Sequence, residues 1–218
     1  MSTVVHVILS GSAPGVLSRE QFMLAYSGKS LFQLCVERNA SFADRQLVVG
    51  RNDYYMQARD YFKLAGNKTY LNIIEEDHFT NLYSISFAAF SASADETLLI
   101  APSNYLINNE EAYKKAVEKM ILIAEKKQIS VLSFHSEEVI PSGILCCKAG
   151  VYLQELKTCA PEVFQVAKKA WEARVAQYVA GDTTIKVPQA TIEDILLNVS
   201  DKVKVVEEVA AKLQVVAS

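Results

Sequence analysis

Glycine is scarce in this chain. Eight in 218 residues is about half the ~7% usual in globular proteins, and that counts against a site built from several glycine-rich, phosphate-cradling loops. No basic excess is present either: 22 lysines and arginines face 25 acidic residues, a net charge of −3. A nucleic-acid binder would carry the opposite balance. No apolar stretch reaches the roughly 18 to 20 residues that cross a bilayer. The first apolar run, Val4 to Leu9, has no basic residue ahead of it, so it does not read as a secretory leader. Four cysteines (Cys35, Cys146, Cys147 and Cys159) show no Cys-x-x-Cys spacing. The adjacent Cys146–Cys147 pair fits a buried apolar run better than a bridge, and the expected setting is cytoplasmic and reduced.

What is present is core material. Half of the residues are hydrophobic and 22% are charged, which excludes disorder for most of the chain. The expected organisation is a single domain over 1–218, with a nucleotide-binding-type core at 1–135 and a reduced C-terminal part at 136–218. Val4 to Ser10 is a continuous apolar run closed by Gly11-Ser12-Ala13-Pro14-Gly15, a strand buried on both faces and then a turn. Further strands are expected at Gln46–Gly50, Tyr70–Ile74, Thr97–Ala101, Ile129–Phe134 and Lys202–Val206. Helices are expected at Ser30–Asn39, Asn52–Ala65 (capped by Asn52 and stopped by Gly66), Thr80–Ser93, Glu110–Lys127 and Pro161–Tyr178, with a short one at Thr191–Val199. Glu110–Lys127 is the clearest of these: Tyr113, Ala116, Val117, Met120, Ile121 and Ala124 line one face. Ile144–Leu156 is ambiguous between strand and helix, and the tail beyond Glu207 reads as a helix. Strands alternating with helices predict a doubly wound, Rossmann-like, mostly parallel α/β sheet, with ligands beyond the carboxyl ends of the strands. The strands at Val4–Leu9, Thr97–Ala101 and Ile129–Phe134 should be central and parallel.

Five collinear segments carry a resemblance. They are Val7-Ile8-Leu9-Ser10-Gly11-Ser12 with Leu17-Ser18-Arg19-Glu20; Ser30-Leu31-Phe32-Gln33 with Glu37-Arg38; Leu98 to Ile107 (LLIAPSNYLI); Ser142-Gly143 with Tyr152 to Leu156 and Ala160-Pro161-Glu162; and Ala190 to Asp194 with Lys202 to Val206. Together they resemble the bacterial mannose-1-phosphate guanylyltransferases of the nucleotide-diphospho-sugar transferase superfamily. The resemblance implies that fold, and transfer of GMP from GTP to mannose 1-phosphate with release of pyrophosphate. It implies Ser10, Gly11, Ser12, Ser103 and Asn104 as nucleotide-loop residues, Ser142 and Gly143 on the sugar side, and Mg²⁺ as cofactor if any activity remains.

The chemical positions depart from the family pattern. Ser12 replaces the second glycine of the first loop, and Pro14 has no N–H to donate. No lysine precedes Lys29. Asn104 and Tyr105 stand where the family has aspartate and histidine, and an amide is a poorer Mg²⁺ ligand than a carboxylate. Phe79 stands in place of an arginine, and Glu193 in place of an aspartate. His135–Pro141 runs directly to Ser142-Gly143, so the sugar-binding subregion is trimmed. These losses point to a catalytically weak or inactive relative, which leaves no catalytic residue to nominate. The alternative is a non-catalytic interaction or regulatory protein partnering an intact paralogue.

Plainer readings stand beside the chemical ones. Ser10-Gly11-Ser12 is either a phosphate seat or a tight turn. Asn104 contacts a nucleotide or, the preferred reading, caps the next element. Glu75-Glu76-Asp77-His78 reads as a solvated loop rather than a metal site, His6 as a hydrogen-bonded core histidine and His135 as structural. Trimming should leave Ile144, Leu145, Cys146 and Cys147 exposed. With Trp171 and Tyr178 they would then form a surface for self-association or a related subunit; otherwise the tail buries them.

Overall fold

The computed structural model describes residues 2–10, 25–26, 28–65, 70–75, 80–103, 105–107, 109–135, 139–177, 191–208 and 213–215. In chain order the strands are β1 (Val4–Ser10), β2 (Ala25–Tyr26), β3 (Lys29–Ser30), β4 (Arg45–Arg51), β5 (Tyr70–Glu75), β6 (Thr97–Pro102), β7 (Tyr105–Ile107), β8 (Ile129–His135), β9 (Val139–Lys148), β10 (Val203–Glu208) and β11 (Leu213–Val215). The helices are α1 (Leu31–Asn39), α2 (Asn52–Leu64), α3 (Asn81–Ser91), α4 (Glu110–Glu125), α5 (Ala149–Cys159) and α6 (Pro161–Gln177), followed by one π-helical turn at Glu193–Leu197. Gly66, Glu76, Asp77, His78, Tyr178 and Gly181 lie outside the described residues.

Seven strands form one sheet in the order β10-β8-β9-β6-β1-β4-β5. β1 pairs in parallel with β4 and β6, β4 with β5, and β8 with β10, while β9 runs antiparallel between β6 and β8. The expected mostly parallel α/β sheet is the one observed. One face carries α3, α5, α6 and the π turn over Val5, Val7, Leu98, Ile100, Val131 and Cys147. The other carries α1, α2 and α4 over Val4, Ile8, Val48, Leu99 and Leu132. All seven residues of β1 are buried, which is why the run is apolar without alternation.

Local sequence explains the helix starts. Ser30-x-x-Gln33 is a capping box: the Ser30 hydroxyl accepts from the Gln33 N–H at 3.2 Å, and the Gln33 side chain accepts from the Ser30 N–H at 2.8 Å. Asn109 caps α4, accepting from the Ala112 N–H at 3.0 Å, and Glu110 and Glu111 sit in the first turn, where the helix dipole favours acid.

Three expectations are corrected. Ile129–Phe134 points along β1 and β6 but is second from the edge, because β9 inserts between β6 and β8. A two-sided apolar strand needs a neighbour on each side, and β10 supplies the second. The tail beyond Glu207 reads as a helix in sequence, but its described residues Leu213–Val215 form β11, antiparallel to β7. The apolar patch is not exposed: Ile144, Leu145, Cys146 and Cys147 are all 2% exposed or less, because β9 is an interior strand. Ile144–Leu156 resolves into the end of β9 and most of α5. Trp171 lies half-buried against Phe87 and Phe90, at ring-centroid distances of 6.2 and 6.4 Å. Among the described residues no helix is long and apolar enough to cross a membrane.

Beneath α1 and α4 lies a buried polar chain. His6 Nε2 sits 3.8 Å from Cys35 Sγ, Asn39 Nδ2 donates to the Cys35 carbonyl at 3.0 Å, and Tyr113 Oη donates to Asn39 Oδ1 at 2.8 Å. The Arg38 guanidinium lies 5.6 Å from the Tyr113 ring centre. His6 is a core histidine, but its Nδ1 has no partner among the described residues. Burial, and then the Arg38 charge, push its pKa down to about 3. Unfolded, His6 takes up a proton near its ordinary value of 6.5, and folded it does so only near 3. Its contribution is therefore complete above pH 6.5 and is lost progressively as pH falls towards 3, at roughly 1 kcal/mol per pH unit. We expect denaturant unfolding to show a shallower pH dependence in His6→Leu than in the wild type across this window. Superimposable pH profiles would contradict the assignment.

Candidate functional site

Strand order reverses at β1. The chain passes from β1 to β4 and β5 on one side, then crosses to β6 on the other. Such a switch point leaves a crevice beyond the carboxyl ends of the two strands, where α/β sheets bind ligands. Here those ends are Ser10 and Ser103. Gly11, Ser12 and Asn104, expected to line the crevice, lie outside the described residues.

The register locks the two ends together. Leu9 is opposite Pro102, and the Ser103 N–H and Oγ both donate to the Leu9 carbonyl, each at 3.1 Å. Ser10 and Ser103 are 1% and 3% exposed. Ser10 Oγ is 3.5 Å from the Val49 carbonyl. Both hydroxyls point their protons at backbone, so these serines frame the crevice by tying strands. Donors towards an anionic ligand must come from elsewhere.

Gly50 stands opposite Ser10 in β4. A Cβ on Gly50 would fall on the Ser10 carbonyl oxygen and hydroxyl, so only glycine permits this approach. Its place inside a strand was the sequence signal for that contact.

Gly143 lies on the other side of β6. Between the Val131–Leu145 and Ser133–Pro141 pairs, β8 advances two residues and β9 four, so β9 bulges over Ser142, Gly143 and Ile144. Gly143 has φ +71°, the left-handed region that favours glycine. A Cβ there would sit 3.3 Å from Pro102 Cγ and 3.9 Å from the Tyr105 hydroxyl. The Ser-Gly pair and the Pro102–Ser103 end of β6, far apart in sequence, thus meet at one place. Tyr105 is held in β7 opposite Val215 of β11. Burial, and then the charge of Glu193 in the π turn, raise its phenol pKa, so at neutral pH it is a hydrogen-bond donor. The sequence reading selected Ser103, Asn104 and Gly143, noted Tyr105 only as a departure from the family's histidine, and passed over Ser133 and Gly50.

The donor set suits a metal poorly. Among the described residues no group of three or more His, Cys, Asp or Glu side chains could hold an ion. Glu193 is the carboxylate whose charge reaches Tyr105. The Mg²⁺ implied by the resemblance relies on carboxylates together with substrate phosphates. The residues described here do not fit a protein-built Mg²⁺ site.

No protein-family model matches the chain. Over 79% of its length it is 24% identical to the xanthan biosynthesis protein XanB of Xanthomonas campestris pv. campestris, strain B100. Over 74% it is 26% identical to the mannose-1-phosphate guanylyltransferase RfbM of Salmonella typhimurium LT2. It spans about half the length of these relatives, 48% and 44% respectively. Among solved structures, a chain described as mannose-6-phosphate isomerase from Helicobacter pylori matches with a TM-score of 0.81 and 22% identity, over 97% of this chain and 99% of that one. A Thermus thermophilus structure, described as a mannose-1-phosphate geranyltransferase, gives 0.76 at 16% identity, over 99% and 76%. Fold and switch point define a Rossmann-like α/β domain, and the matching solved structures share that fold. In sequence the chain is similar, at about a quarter identity, to a mannose-1-phosphate guanylyltransferase and to a xanthan biosynthesis protein.

Replacing Gly50 by alanine must push β4 away from the end of β1. We expect Gly50→Ala to lose about 1 to 3 kcal/mol of stability, the usual cost of overpacking. An unchanged unfolding midpoint would show that the two ends are not in contact.

Proposed function

We propose that this chain binds a sugar nucleotide, or the nucleotide and sugar phosphate from which one is made, at the carboxyl ends of β1 and β6. In this reading it is a sugar-1-phosphate nucleotidyltransferase-like protein with turnover near background. The observation that carries the reading is the switch point itself, where the Ser103 bonds to Leu9 hold the ends of β1 and β6 side by side. Similarity to the mannose-1-phosphate guanylyltransferase RfbM supports guanosine and mannose as the ligand chemistry.

Weak turnover follows from the chemistry. Phosphoryl transfer proceeds in line through a transition state whose charge must be neutralised by cations and N–H donors. This chain has no lysine before Lys29, an amide at Asn104, Phe79 in place of an arginine, and Pro14 in the first loop. Losing one such stabiliser costs about 10²- to 10³-fold in rate, and several losses act together without simple addition. The alternative, a non-catalytic interaction or regulatory protein, rests on the same losses; the Ile144–Cys147 surface expected for it is buried in the sheet.

The test pairs binding with turnover. Thermal shift and calorimetry with GTP, GDP-mannose, mannose 1-phosphate and mannose 6-phosphate, with and without Mg²⁺, should show saturable binding of GDP-mannose or its precursors. Pyrophosphate release from GTP and mannose 1-phosphate should stay at background. No binding of any of these ligands would refute the ligand assignment. A specific activity comparable with RfbM would refute the weak turnover.

A further inference from the structure

Beneath α1 and α4 a positive charge is buried without a counter-charge. Arg38, in the last turn of α1, is 8% exposed. Its guanidinium lies 5.6 Å from the centre of the Tyr113 ring, whose face attracts a cation but does not neutralise it. Its Nε has no hydrogen-bond partner, and the ion pairs among the described residues all use other cations. The neighbouring groups feel the same imbalance: Arg38 acts on His6, Cys35 and Tyr113, and no carboxylate acts on any of the three. Burial holds the Cys35 thiol up at about 11 and raises the Tyr113 phenol, so neither supplies a negative charge at neutral pH. A second idle group belongs to the same seam. Cys35 and Arg38 are three residues apart on α1 and share one of its faces. Cys35 Sγ touches His6 Nε2 at 3.8 Å, and the other nitrogen of that fully buried ring, Nδ1, is also without a partner among the described residues.

We propose that this seam binds a small monovalent anion of the chloride class, held by Arg38 Nε with His6 Nδ1 as a second donor. A water molecule would satisfy the hydrogen bonds but leave the buried charge uncompensated, whereas an anion does both. The tautomer that His6 needs is available. The Cys35 thiol has two acceptors in reach, His6 Nε2 and the Pro102 carbonyl, each at 3.8 Å. When it donates to Nε2, the proton of the neutral imidazole sits on Nδ1 and faces the anion as a donor. Asn39 is spent elsewhere, its amide on the Cys35 carbonyl and its oxygen on Tyr113. Two N–H donors between closely buried side chains suit a monoatomic ion, while a phosphate calls for more donors. The site lies on the α1–α4 face of the sheet and is independent of the ligand reading above.

Melting of the full chain tests it, with chloride raised from about 10 to about 300 mM and gluconate replaced in step, so that ionic strength stays constant. The wild type should gain about 2 to 6 °C over that range, because an ion bound only by the folded state stabilises it by mass action. Arg38→Met should melt at a temperature independent of chloride. Crystals of the wild type grown with bromide in place of chloride give a reading that needs no variant: an anomalous peak is expected within hydrogen-bond distance of Arg38 Nε. A wild-type melting temperature that ignores chloride would overturn the site. A chloride response kept in full by Arg38→Met would overturn it by placing the ion elsewhere, and so would bromide peaks none of which falls at Arg38.

Discussion

Strand β1 has every residue buried, and that constraint organises the rest. Seven consecutive side chains leave no face for water, so helices must cover both sides and strands must pair on both edges. Once β4 takes one edge and β6 the other, the connections run in opposite directions from β1, and a crevice at its carboxyl end is geometrically required. The double donation from Ser103 to the Leu9 carbonyl fixes the spacing of the two strand ends there. The absence of a Cβ on Gly50 allows β4 to close from the other side.

Beyond β6 the sheet changes character. The antiparallel β9 brings Gly143 against Pro102, and its bulge opens a corner that a regular strand would have filled. The cost is a left-handed residue at Gly143, against the Pro102 end of β6. Several interior polar groups farther away are fully engaged. Tyr152 donates to the Leu82 carbonyl at 3.0 Å, and Glu155 is held by Ser200 and Lys202 at 2.6 Å each. Lys148 is held by Ser2, Thr97 and Glu125 at the opposite end of the sheet.

Much of this was legible in the residues. Apolar runs without alternation gave β1, β6 and β8 as two-sided strands, and the 3.6-residue pattern gave α4 nearly to its ends. The Ser30-x-x-Gln33 segment, noticed as part of a resemblance, is physically a capping box. Pairing partners were not legible, because β9 and β8 have similar apolar character and nothing local says that one inserts beside β6. For the same reason Ile144–Cys147 read as surface left by a deletion, when the chain used it to fill an interior strand. The β11 segment is too short for periodicity to separate a strand from a frayed helix; its partner, β7, decides. Ser133 was hidden inside ISVLSF, where a serine reads as tolerated core until the register places it beside a bulge.

The central claim is the location of the ligand, and a crystal structure of the protein with bound GDP-mannose measures it directly. We expect the diphosphate over the ends of β1 and β6, beside Ser10 and Ser103, with the hexose turned towards Tyr105 and Gly143. A ligand bound at the amino ends of the strands, near Lys148 and Glu125, or on the outer face of a helix would contradict the account.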